Sequence, residues 1–383
     1  MQVRTLWLTD FRSYSTAHLD LAPGLTALVG ANGEGKTNLL EGLAWLATLS
    51  SFRGAPADAM VRRGAPFAVV RAAAERDGRE LLVEAQIPPS GRTRVLVNRQ
   101  PLRRARDLLG SLRVTVFTPD DLAIVKDGPG ERRRFLDEAL VSLHPRNDVV
   151  RRTVDKALRQ RNALLRQAAG RLDGSTSATL DVWDAELARA GAALVAARLD
   201  LLRRMGTVLG GTYDALARRP ARTGVRYEAP WASGLAEEAA GPGAAPGAEA
   251  APGEGQLASA LGSALGRARR DDVRRGVSTV GPHRDEVVLG IGGAPARTEA
   301  SQGEQRTLAL ALRLAVHHVV TADAGSAPVL LLDDVFSELD PGRSAALLAT
   351  LPPGQVLLTS ASTLPPTARP DMVLHLVDGQ IVR

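Results

Sequence analysis

Residues 30–37 read Gly-Ala-Asn-Gly-Glu-Gly-Lys-Thr (GANGEGKT). The apolar run Leu25–Val29 before this stretch predicts a strand, and the leucine spacing over residues 38–49 predicts a helix after it. Between a strand and a helix, GxxxxGK[ST] is the pattern of a phosphate-binding loop, because glycines let successive backbone N–H groups approach a phosphate closely. The positive end of the helix adds to that attraction. The stretch therefore predicts a site in which Lys36 reaches the outer phosphates of a nucleotide and Thr37 binds Mg²⁺.

The length and composition of the chain indicate two lobes with a large aliphatic core. Its 383 residues exceed the usual length of one domain, and apolar residues make up 44% of them, aromatic residues only 3%. The chain has no cysteine, which fits a reducing cytosol, and its opening MQVRTLWLTD lacks the apolar core of a signal peptide. No run of about 18 apolar residues occurs, so the sequence predicts a cytoplasmic protein without a membrane span.

The charge balance is basic. The net charge is +6 and almost all of the positive charge comes from arginine, since the only lysines are Lys36, Lys126 and Lys156. A basic balance favours a polyanionic partner over a neutral one. Charge alone does not decide whether that partner is a nucleic acid.

Strand-like runs surround the nucleotide loop. Short strands at residues 3–8 and 18–21 flank the sequence FRSYSTAHLD, which places Arg12 near the nucleotide. Arg12 either stabilises phosphate through a charge-assisted hydrogen bond or is a solvated turn arginine, and its spacing leaves both interpretations open. Three later runs predict an antiparallel meander attached to the nucleotide-binding sheet; they cover residues 67–74, 80–87 and 93–97.

The middle of the chain predicts a helical lobe. Helical periodicity begins at Glu131 and continues in two long stretches, residues 148–169 and 178–217, for which an antiparallel pair is the simplest arrangement. In the triplet at residues 132–134, at least one arginine is expected to make an internal salt bridge, and a DNA role for the others stays open. Residues 233–255 are rich in Ala, Gly, Pro and Glu and predict a disordered insertion.

Two further motifs lie near the C-terminal end. Ser301 begins SQGE at the start of a long apolar helix, where it either helps to bind an anion or forms an ordinary capping box with Glu304. The buried strand at residues 328–332 ends in Asp333 and Asp334. Two carboxylates at a buried strand end are costly without a cation, so they predict that Asp333 binds Mg²⁺ together with the P-loop and that Asp334 polarises an attacking water.

In this order, FRSY, GANGEGKT, SQGE, LLLDD and SELD resemble the motifs of the SMC and ABC-type ATPases. The stretches TPDDL, GERRRFLD, RNALL and VGPHRDE are similar to the RecF family of bacterial DNA replication and repair proteins, over nearly the whole chain except residues 233–255. The resemblance implies an α/β fold: an ABC/SMC-type P-loop ATPase head with an antiparallel β subdomain, plus an inserted helical lobe with a short antiparallel helical arm. The predicted limits are residues 1–125 and 281–383 for the head and 126–280 for the lobe.

The resemblance also implies a function. It suggests an ATP-dependent DNA-binding protein of the RecFOR gap-repair pathway that binds double-stranded, single-stranded and gapped DNA and works at the nucleoid. Expected partners are RecR and RecO, with RecA loading as the outcome. ATP and Mg²⁺ would drive formation of a homodimer, and the protein would be a weak, DNA-stimulated ATPase.

Residue roles follow from the resemblance in the same way. Ser301 would complete the catalytic site of the partner subunit, contacting ATP together with Gln302 and Gly303, and Asp340 would lie at the dimer interface. Hydrolysis is expected to be slow, since Asp334 replaces the glutamate usual in transporters, Gln302 replaces a glycine, and no switch histidine follows residue 359. The ATP-binding set comprises Arg12, Gly30, Ala31, Asn32, Gly33, Glu34, Gly35, Lys36, Thr37 and Asn38.

Three other functions share part of this pattern. A transporter ATPase subunit has the same head but requires a membrane partner and does not normally carry so long a helical insertion. A P-loop small-molecule kinase lacks the distant SQGE and SELD pair. A structural DNA binder that does not hydrolyse ATP would keep its DNA association after Lys36→Met.

Overall fold

The computed structural model describes residues 1–217, 219–233, 252–337, 339–361 and 363–382. The chain divides into two compact units. The head unit comprises Met1–Asp121, Asp214–Pro220 and Arg306–Arg383, and the helical unit comprises Leu122–Tyr213 and Ala221–Gln305. Residues 281–305, which we expected in the ATPase head, therefore belong to the compact helical unit. The functional domain limits themselves stay a prediction.

The described residues form fifteen strands. They are β1 (Gln2–Phe11), β2 (Tyr14–Asp20), β3 (Leu25–Gly30), β4 (Ala68–Arg76), β5 (Arg79–Ile87), β6 (Arg94–Val97), β7 (Gln100–Pro101), β8 (Val114–Phe117), β9 (Thr223–Glu228), β10 (Glu286–Ile291), β11 (Ala294–Pro295), β12 (Val329–Leu332), β13 (Val356–Ser360), β14 (Met372–Val377) and β15 (Gln380–Val382).

Nine α-helices lie within the same described residues. They are α1 (Lys36–Thr48), α2 (Leu122–Lys126), α3 (Pro129–Leu143), α4 (Arg146–Gln167), α5 (Gly174–Leu216), α6 (Glu254–Arg275), α7 (Ala296–Glu299), α8 (Gln302–Ala324) and α9 (Pro341–Ala349). In the described part of the chain, none of them combines the length and apolarity needed to cross a bilayer.

A largely parallel sheet forms the centre of the head unit. Its strand order is β15-β14-β3-β13-β12-β8, and only the edge strand β15 runs antiparallel to its neighbour. Every residue of β12 and β13 is buried, as expected for strands covered on both faces. The carboxyl ends of parallel strands meet at one edge, so the loops after β3, β13 and β12 lie side by side there.

The predicted meander forms a sheet of its own. Strands β1 and β2 pair with it rather than with the nucleotide-loop strand, giving the order β2-β1-β4-β5-β6-β7. The expectation of a meander attached to the nucleotide sheet was therefore wrong. Helix α1 contacts strands of both sheets, and its side chains Leu39, Leu40, Leu43 and Leu46 are buried. A helix that is buried around most of its surface needs cover on both sides, and the second sheet supplies one of them.

The helical unit confirms the two long helices, at α4 and α5. Its three-stranded antiparallel sheet has the order β11-β10-β9. Of the predicted disordered segment, residues 234–251 lie outside the described residues, whereas residues 254–255 begin α6 and are helical. The backbone N–H of Gly253 donates to Oε1 of Gln256 (3.0 Å), and this contact caps the N-terminus of α6.

Two buried arginines connect the elements of the helical unit. Arg161 is 0% exposed and donates to Asp184 (2.6 Å), Asp272 (2.7 Å) and Ser278 (2.8 Å). Arg198 is 2% exposed and forms a two-pronged ion pair with Asp137, with nitrogen–oxygen distances of 2.9 and 3.0 Å. These residues are far apart in the chain, so the ion pairs fix tertiary contacts that the apolar pattern leaves open.

The arginine triplet on α3 is engaged internally. Arg132, 5% exposed, forms a bidentate ion pair with Glu286 (2.8 and 2.9 Å). Arg133 donates to the carbonyl oxygen of Asp285 (2.6 Å), and Arg134 pairs with Glu131 on the helix surface. The expected internal salt bridge is confirmed and extends to two of the three arginines. Loss of Arg132 or Arg133 would thus disturb packing, so these residues are unsuitable probes of DNA contact.

The turn before β10 carries two titratable groups whose burial affects stability in opposite ways. Burial raises the pKa of Asp285 to about 6 from 3.8, although hydrogen bonds from Tyr227 and Trp231 act against the rise. Burial lowers the pKa of His283 to about 4 from 6.5. The folded state therefore binds more protons at Asp285 and fewer at His283 than the unfolded state does.

We expect these two effects to offset each other in the wild-type protein between about pH 4 and 6. His283→Gln leaves the Asp285 effect, so between about pH 4 and 6 the free energy of unfolding should fall more with rising pH than it does in the wild type. Asp285→Asn leaves the histidine effect, so stability should rise more with pH than in the wild type, from about pH 4 to 6.5. Urea unfolding of the wild type and both variants across this range measures the slopes. Burial also lowers the pKa of His317 to about 4, and this contribution is common to all three proteins. Two variants whose slopes change in the same direction from the wild-type slope would contradict the assignment.

Candidate nucleotide-binding site

The backbone of the phosphate loop requires glycine at defined positions. Gly33 and Gly35 have φ values of 93° and 94°, in the left-handed region that side chains disfavour. A Cβ atom on Gly35 would lie 2.7 Å from the Tyr14 hydroxyl, and one on Gly30 would lie 2.5 Å from the carbonyl oxygen of Leu376. The loop is therefore closely bounded by its neighbours, and larger residues at 30 or 35 would displace it.

Lys36 folds back onto this loop. Its Nζ donates to the carbonyl oxygens of Gly30 (2.8 Å) and Ala31 (2.7 Å). Burial lowers the pKa of Lys36, while the nearby carboxylates of Asp334, Asp333 and Glu34 act in the opposite direction. The ammonium group is thus held beside the loop by two neutral acceptors. A phosphate anion is a stronger acceptor for the same donor.

Thr37 and Asp333 come together although 296 residues separate them. The Thr37 hydroxyl donates to Oδ1 of Asp333 (2.9 Å), and the Thr359 hydroxyl donates to the same oxygen (2.8 Å). Asp333 is 6% exposed, and burial raises its pKa more than the two hydroxyl groups lower it. The strand order explains the Thr359 contact, because β13, which ends in Thr359 and Ser360, is the direct neighbour of β12, the strand that precedes Asp333.

The donor set of this pair fits Mg²⁺. Mg²⁺ prefers hard oxygen ligands in octahedral geometry at 2.0–2.1 Å, for which adjacent ligand oxygens lie about 2.9 Å apart. The Thr37 and Asp333 oxygens have that separation. A cation would also favour the charged form of Asp333, opposing the effect of burial. The two residues are thus suited to hold Mg²⁺, whose chemistry would be to neutralise phosphate charge.

Asp334 occupies an unusual backbone conformation next to this pair. Its φ is 46°, in the left-handed region that aspartate tolerates better than most residues. Its backbone N–H donates to the Thr359 hydroxyl (2.8 Å), and its carbonyl oxygen accepts from the Ser337 hydroxyl (2.8 Å). Thr359 therefore contacts the carboxylate of Asp333 and the backbone of Asp334, a role that its sequence context does not indicate. The sequence shows Thr359 near the end of an apolar strand, and threonine is common at such positions, so this place does not indicate a functional role.

Glu34 and Asn38 brace the loop through protein contacts. Oε2 of Glu34 accepts from the backbone N–H of Gly379 (2.7 Å), and its carbonyl oxygen lies 3.4 Å from the Tyr14 hydroxyl. The Asn38 amide donates to the Ser13 hydroxyl (2.9 Å). Their expected contacts with ATP stay a prediction. In this structure the two side chains tie the loop to the β1–β2 turn and the β14–β15 turn.

The Arg12 side chain lies against a carboxylate on α1. Its Nε and Nη2 donate to the two carboxylate oxygens of Glu41 (2.7 and 2.8 Å), and Glu41 is 0% exposed on α1. Ser51 also donates to Glu41. A buried carboxylate requires such partners, so Arg12 primarily neutralises Glu41 and fixes the P-loop helix. The solvated-turn alternative was wrong, and direct phosphate binding by Arg12 stays a prediction.

The SQGE motif begins α8. The Ser301 hydroxyl and backbone N–H both donate to Oε2 of Glu304 (2.7 and 2.8 Å), which is a capping box. Ser301 and Gln302 are exposed, and Gly303 lies within the first turn. The capping interpretation of Ser301 is confirmed, while contact with ATP across a dimer stays a prediction. That contact requires the Ser301 hydroxyl to exchange its carboxylate partner for phosphate.

Asp340 also caps a helix. Its Oδ1 accepts from the backbone N–H groups of Gly342 and Arg343 (3.1 Å each), and its Oδ2 pairs with the Arg343 side chain (2.9 Å). These contacts define the start of α9. The expected place of Asp340 at a dimer interface stays a prediction.

The fold and the pairing of the phosphate loop with a strand-end aspartate define a P-loop ATPase of the ABC/SMC head class. An SMC head domain of Pyrococcus furiosus superposes with a TM-score of 0.55 at 15% identity, covering 100% of this chain and 96% of that one. The predicted fold class is thereby confirmed.

Residues 2–361 match the family described as RecF/RecN/SMC N terminal domain, and the chain belongs to the RecF family within it. It is 45% identical to DNA replication and repair protein RecF of Kineococcus radiotolerans, covering 100% of both chains, and 44% identical to that of Streptomyces avermitilis, covering 94% of each. The solved recombination mediator protein RecF with ATP, in the RecFOR pathway, has a TM-score of 0.87 at 26% identity, covering 100% of this chain and 97% of that one.

Proposed function

We propose that this protein is an ATP-dependent DNA-binding protein of recombinational gap repair. ATP and Mg²⁺ would drive formation of a homodimer on DNA at junctions of duplex and single strand, and the dimer would promote RecA loading together with RecR and RecO. The protein would hydrolyse ATP weakly, with stimulation by DNA, and work at the nucleoid in the cytoplasm. The names of its full-length relatives, DNA replication and repair protein RecF, support this role.

One observation carries the ATP-dependent part of the proposal. The Thr37 hydroxyl and the Asp333 carboxylate are 2.9 Å apart, beside the Lys36 ammonium group, at one edge of the parallel sheet. This arrangement brings together two oxygen ligands suited to Mg²⁺ and one cation suited to phosphate, which are the groups that phosphoryl transfer requires. The solved relative with bound ATP supports ATP as the nucleotide.

The roles of the individual side chains follow from their positions. Lys36 would move from its carbonyl acceptors to the outer phosphates. Thr37 and Asp333 would hold Mg²⁺. Asp334, whose backbone is held by Thr359, would orient an attacking water, and a carboxylate shorter than the glutamate of transporters fits slow turnover. Slow turnover suits a clamp that stays closed while other proteins act.

The dimer would complete the site in trans. Ser301 with Gln302 and Gly303 lies at the N-terminus of α8, a helix of 23 residues whose exposed N–H groups favour an anion. Each protomer would place this helix start against the ATP of its partner, and Asp340 would lie nearby in the interface. A two-fold dimer of this kind contains two equivalent composite sites.

The test is DNA binding by the wild-type protein at one salt concentration, with and without ATP and Mg²⁺. Fluorescence anisotropy would compare duplex, single-stranded and gapped DNA of equal length. We expect ATP to increase the affinity for DNA that contains duplex by about tenfold or more, a typical size for a coupling free energy between two binding sites. A control with ADP separates nucleotide binding from the closed dimer.

Equal binding to all three DNAs with and without ATP would contradict ATP-dependent recognition and favour the structural DNA binder. Absence of binding to any of them would remove the DNA role. The transporter-subunit alternative predicts that second result, together with intact ATP hydrolysis.

A further inference from the structure

An arginine-rich segment lies at the edge of the antiparallel sheet. Residues 92–106, RTRVLVNRQPLRRAR, contain six arginines and neither Asp nor Glu. The segment covers β6, β7 and the start of a 3₁₀ turn, and all six arginines are exposed. The whole chain has 48 Lys and Arg against 42 Asp and Glu, which gives a net charge of +6. The six positive charges of this segment are as large as that net charge. We call residues 92–106 the arginine segment.

Most of these guanidinium groups are not neutralised by the protein. Within the described part of the chain, Arg92, Arg94, Arg99, Arg103 and Arg104 form no ion pair. Elsewhere in the molecule, arginines such as Arg132, Arg161 and Arg198 are paired with carboxylates. Exposed charges without a carboxylate partner produce a positive electrostatic potential in the surrounding solvent. The segment is therefore a surface that attracts a polyanion.

The tip of the β6–β7 hairpin contains an arginine in a backbone conformation that side chains disfavour. Asn98 and Arg99 connect β6 to β7 as a two-residue turn with φ values of 49° and 66°. Turns with two positive φ angles favour Asn followed by Gly. Asn98 fits this preference and its Oδ1 accepts from the backbone N–H of Leu82 (2.8 Å). Arg99 occupies the glycine position and places a further positive charge at the tip.

Protection of the sheet edge does not account for so many charges. Exposed edge strands are commonly blunted by charged residues, short length or proline. Strand β7 has only two residues and one of them, Pro101, has no N–H to offer to another strand. The edge is therefore already protected, and the arginines exceed what this purpose requires.

We propose that the arginine segment binds the phosphate backbone of double-stranded DNA. The inference rests on the proposed function and locates its DNA contact. Guanidinium groups donate paired hydrogen bonds to phosphate, and their contacts do not depend on base sequence. The segment has no aromatic residue on which exposed bases could stack, which favours duplex over single-stranded DNA.

The test neutralises three of these arginines and compares a matched control. The segment variant is Arg92→Gln, Arg94→Gln and Arg103→Gln. The control variant also loses three positive charges, at exposed arginines that each pair with a carboxylate three residues away: Arg189→Gln, Arg203→Gln and Arg274→Gln. Anisotropy with a labelled duplex, at saturating ATP and over a salt series, measures affinity and its dependence on salt.

We expect the segment variant to bind duplex about 10- to 100-fold more weakly and its log–log salt slope to become shallower by about 2 to 3, since each phosphate contact contributes about 0.9. The control variant should keep the wild-type affinity and slope. Arg99→Gly provides a second measurement that separates binding from folding. It should leave the melting temperature unchanged or higher, because glycine suits the turn, and should still weaken DNA binding by several-fold.

The outcomes are distinct. A segment variant with the wild-type slope would overturn the inference and leave the proposed function intact. Equal losses in the segment and control variants would also overturn it, since total charge would then be the cause. If the wild-type protein binds no DNA, the proposed function itself fails.

Discussion

Lys36→Met is expected to weaken ATP binding on the order of 100-fold or more, since charge-assisted hydrogen bonds to phosphate are worth about 1.5–3 kcal/mol each. Dimerisation that depends on ATP should be lost with it. The fold should persist, because among the described residues Lys36 donates to two carbonyl oxygens of its own loop and methionine fills the same space. Calorimetric titration with ATP and sedimentation with and without ATP measure the two losses.

Lys156→Met is the matched control, because it is the same chemical change on an exposed lysine of α4. It should retain ATP binding and dimerisation. A Lys36→Met protein that still dimerised with ATP would exclude nucleotide sensing by the loop. A Lys36→Met protein that no longer melted cooperatively would instead assign Lys36 a structural role.

Mixing two inactive variants tests whether the site is shared between subunits. Lys36→Met lacks a working phosphate loop, and Ser301→Arg lacks a working helix start, so each homodimer should be inactive. In a mixed dimer, one site combines the intact loop of one subunit with the intact Ser301 of the other. The mixed dimer keeps one complete site of two, so mixing should restore ATPase activity, up to about half of the wild-type value if every subunit enters a mixed dimer. No recovery on mixing would argue against the composite site.

Arg161→Met is expected to destabilise the protein by about 3–5 kcal/mol, the largest effect on stability that we predict. The substitution removes the guanidinium that joins Asp184 and Asp272 at 2.6 and 2.7 Å. Asp184 keeps its ion pair with Arg269 (2.7 Å), but Asp272, which is 0% exposed, loses the arginine that neutralises it. An unpaired buried carboxylate costs more than the hydrogen bonds that are lost. Urea unfolding measures the loss, and hydrogen exchange locates it in the helical unit.

Two further variants identify the cause of this loss. Arg189→Met removes an exposed arginine that pairs with Glu186 at 2.9 Å, and it should change stability by less than about 0.5 kcal/mol. Adding Asp272→Asn to Arg161→Met removes the buried negative charge that has lost its arginine partner, and this should recover part of the stability. An equal loss with and without Asp272→Asn would show that packing of the arginine stem, rather than charge, is responsible.

The nucleotide site was predictable where its parts are local in sequence. The glycines, Lys36 and Thr37 occupy one loop, and the two aspartates directly follow an apolar strand. The partner of Arg12 was not predictable, because Glu41 is an ordinary acidic residue within a helix until the fold brings it to the β1–β2 turn at 2.7 Å. Thr359 was missed for the same reason. Nothing in its neighbours indicates that β13 enters the sheet between the two strands of the site.

For the basic residues too, the sequence indicated a general property and the fold decided the role of each residue. Composition indicated a polyanionic partner but could not separate arginines by role. In the folded chain Arg132 and Arg161 serve buried carboxylates, whereas Arg92 and Arg94 remain exposed and unpaired within the described residues. Burial and pairing depend on contacts between distant segments, so they distinguish arginines that look alike in sequence.

Local sequence patterns were sufficient for the strand–loop–helix unit at Gly30–Thr37 and for the long helices, because backbone preferences and apolar periodicity act over a few residues. The folded chain was needed to learn that β1 and β2 join a second sheet, that Thr37 meets Asp333, and that Glu41 requires Arg12. These facts depend on contacts between residues far apart in the chain. Such contacts form only where the burial of many side chains brings the segments together, so no short stretch of sequence contains them.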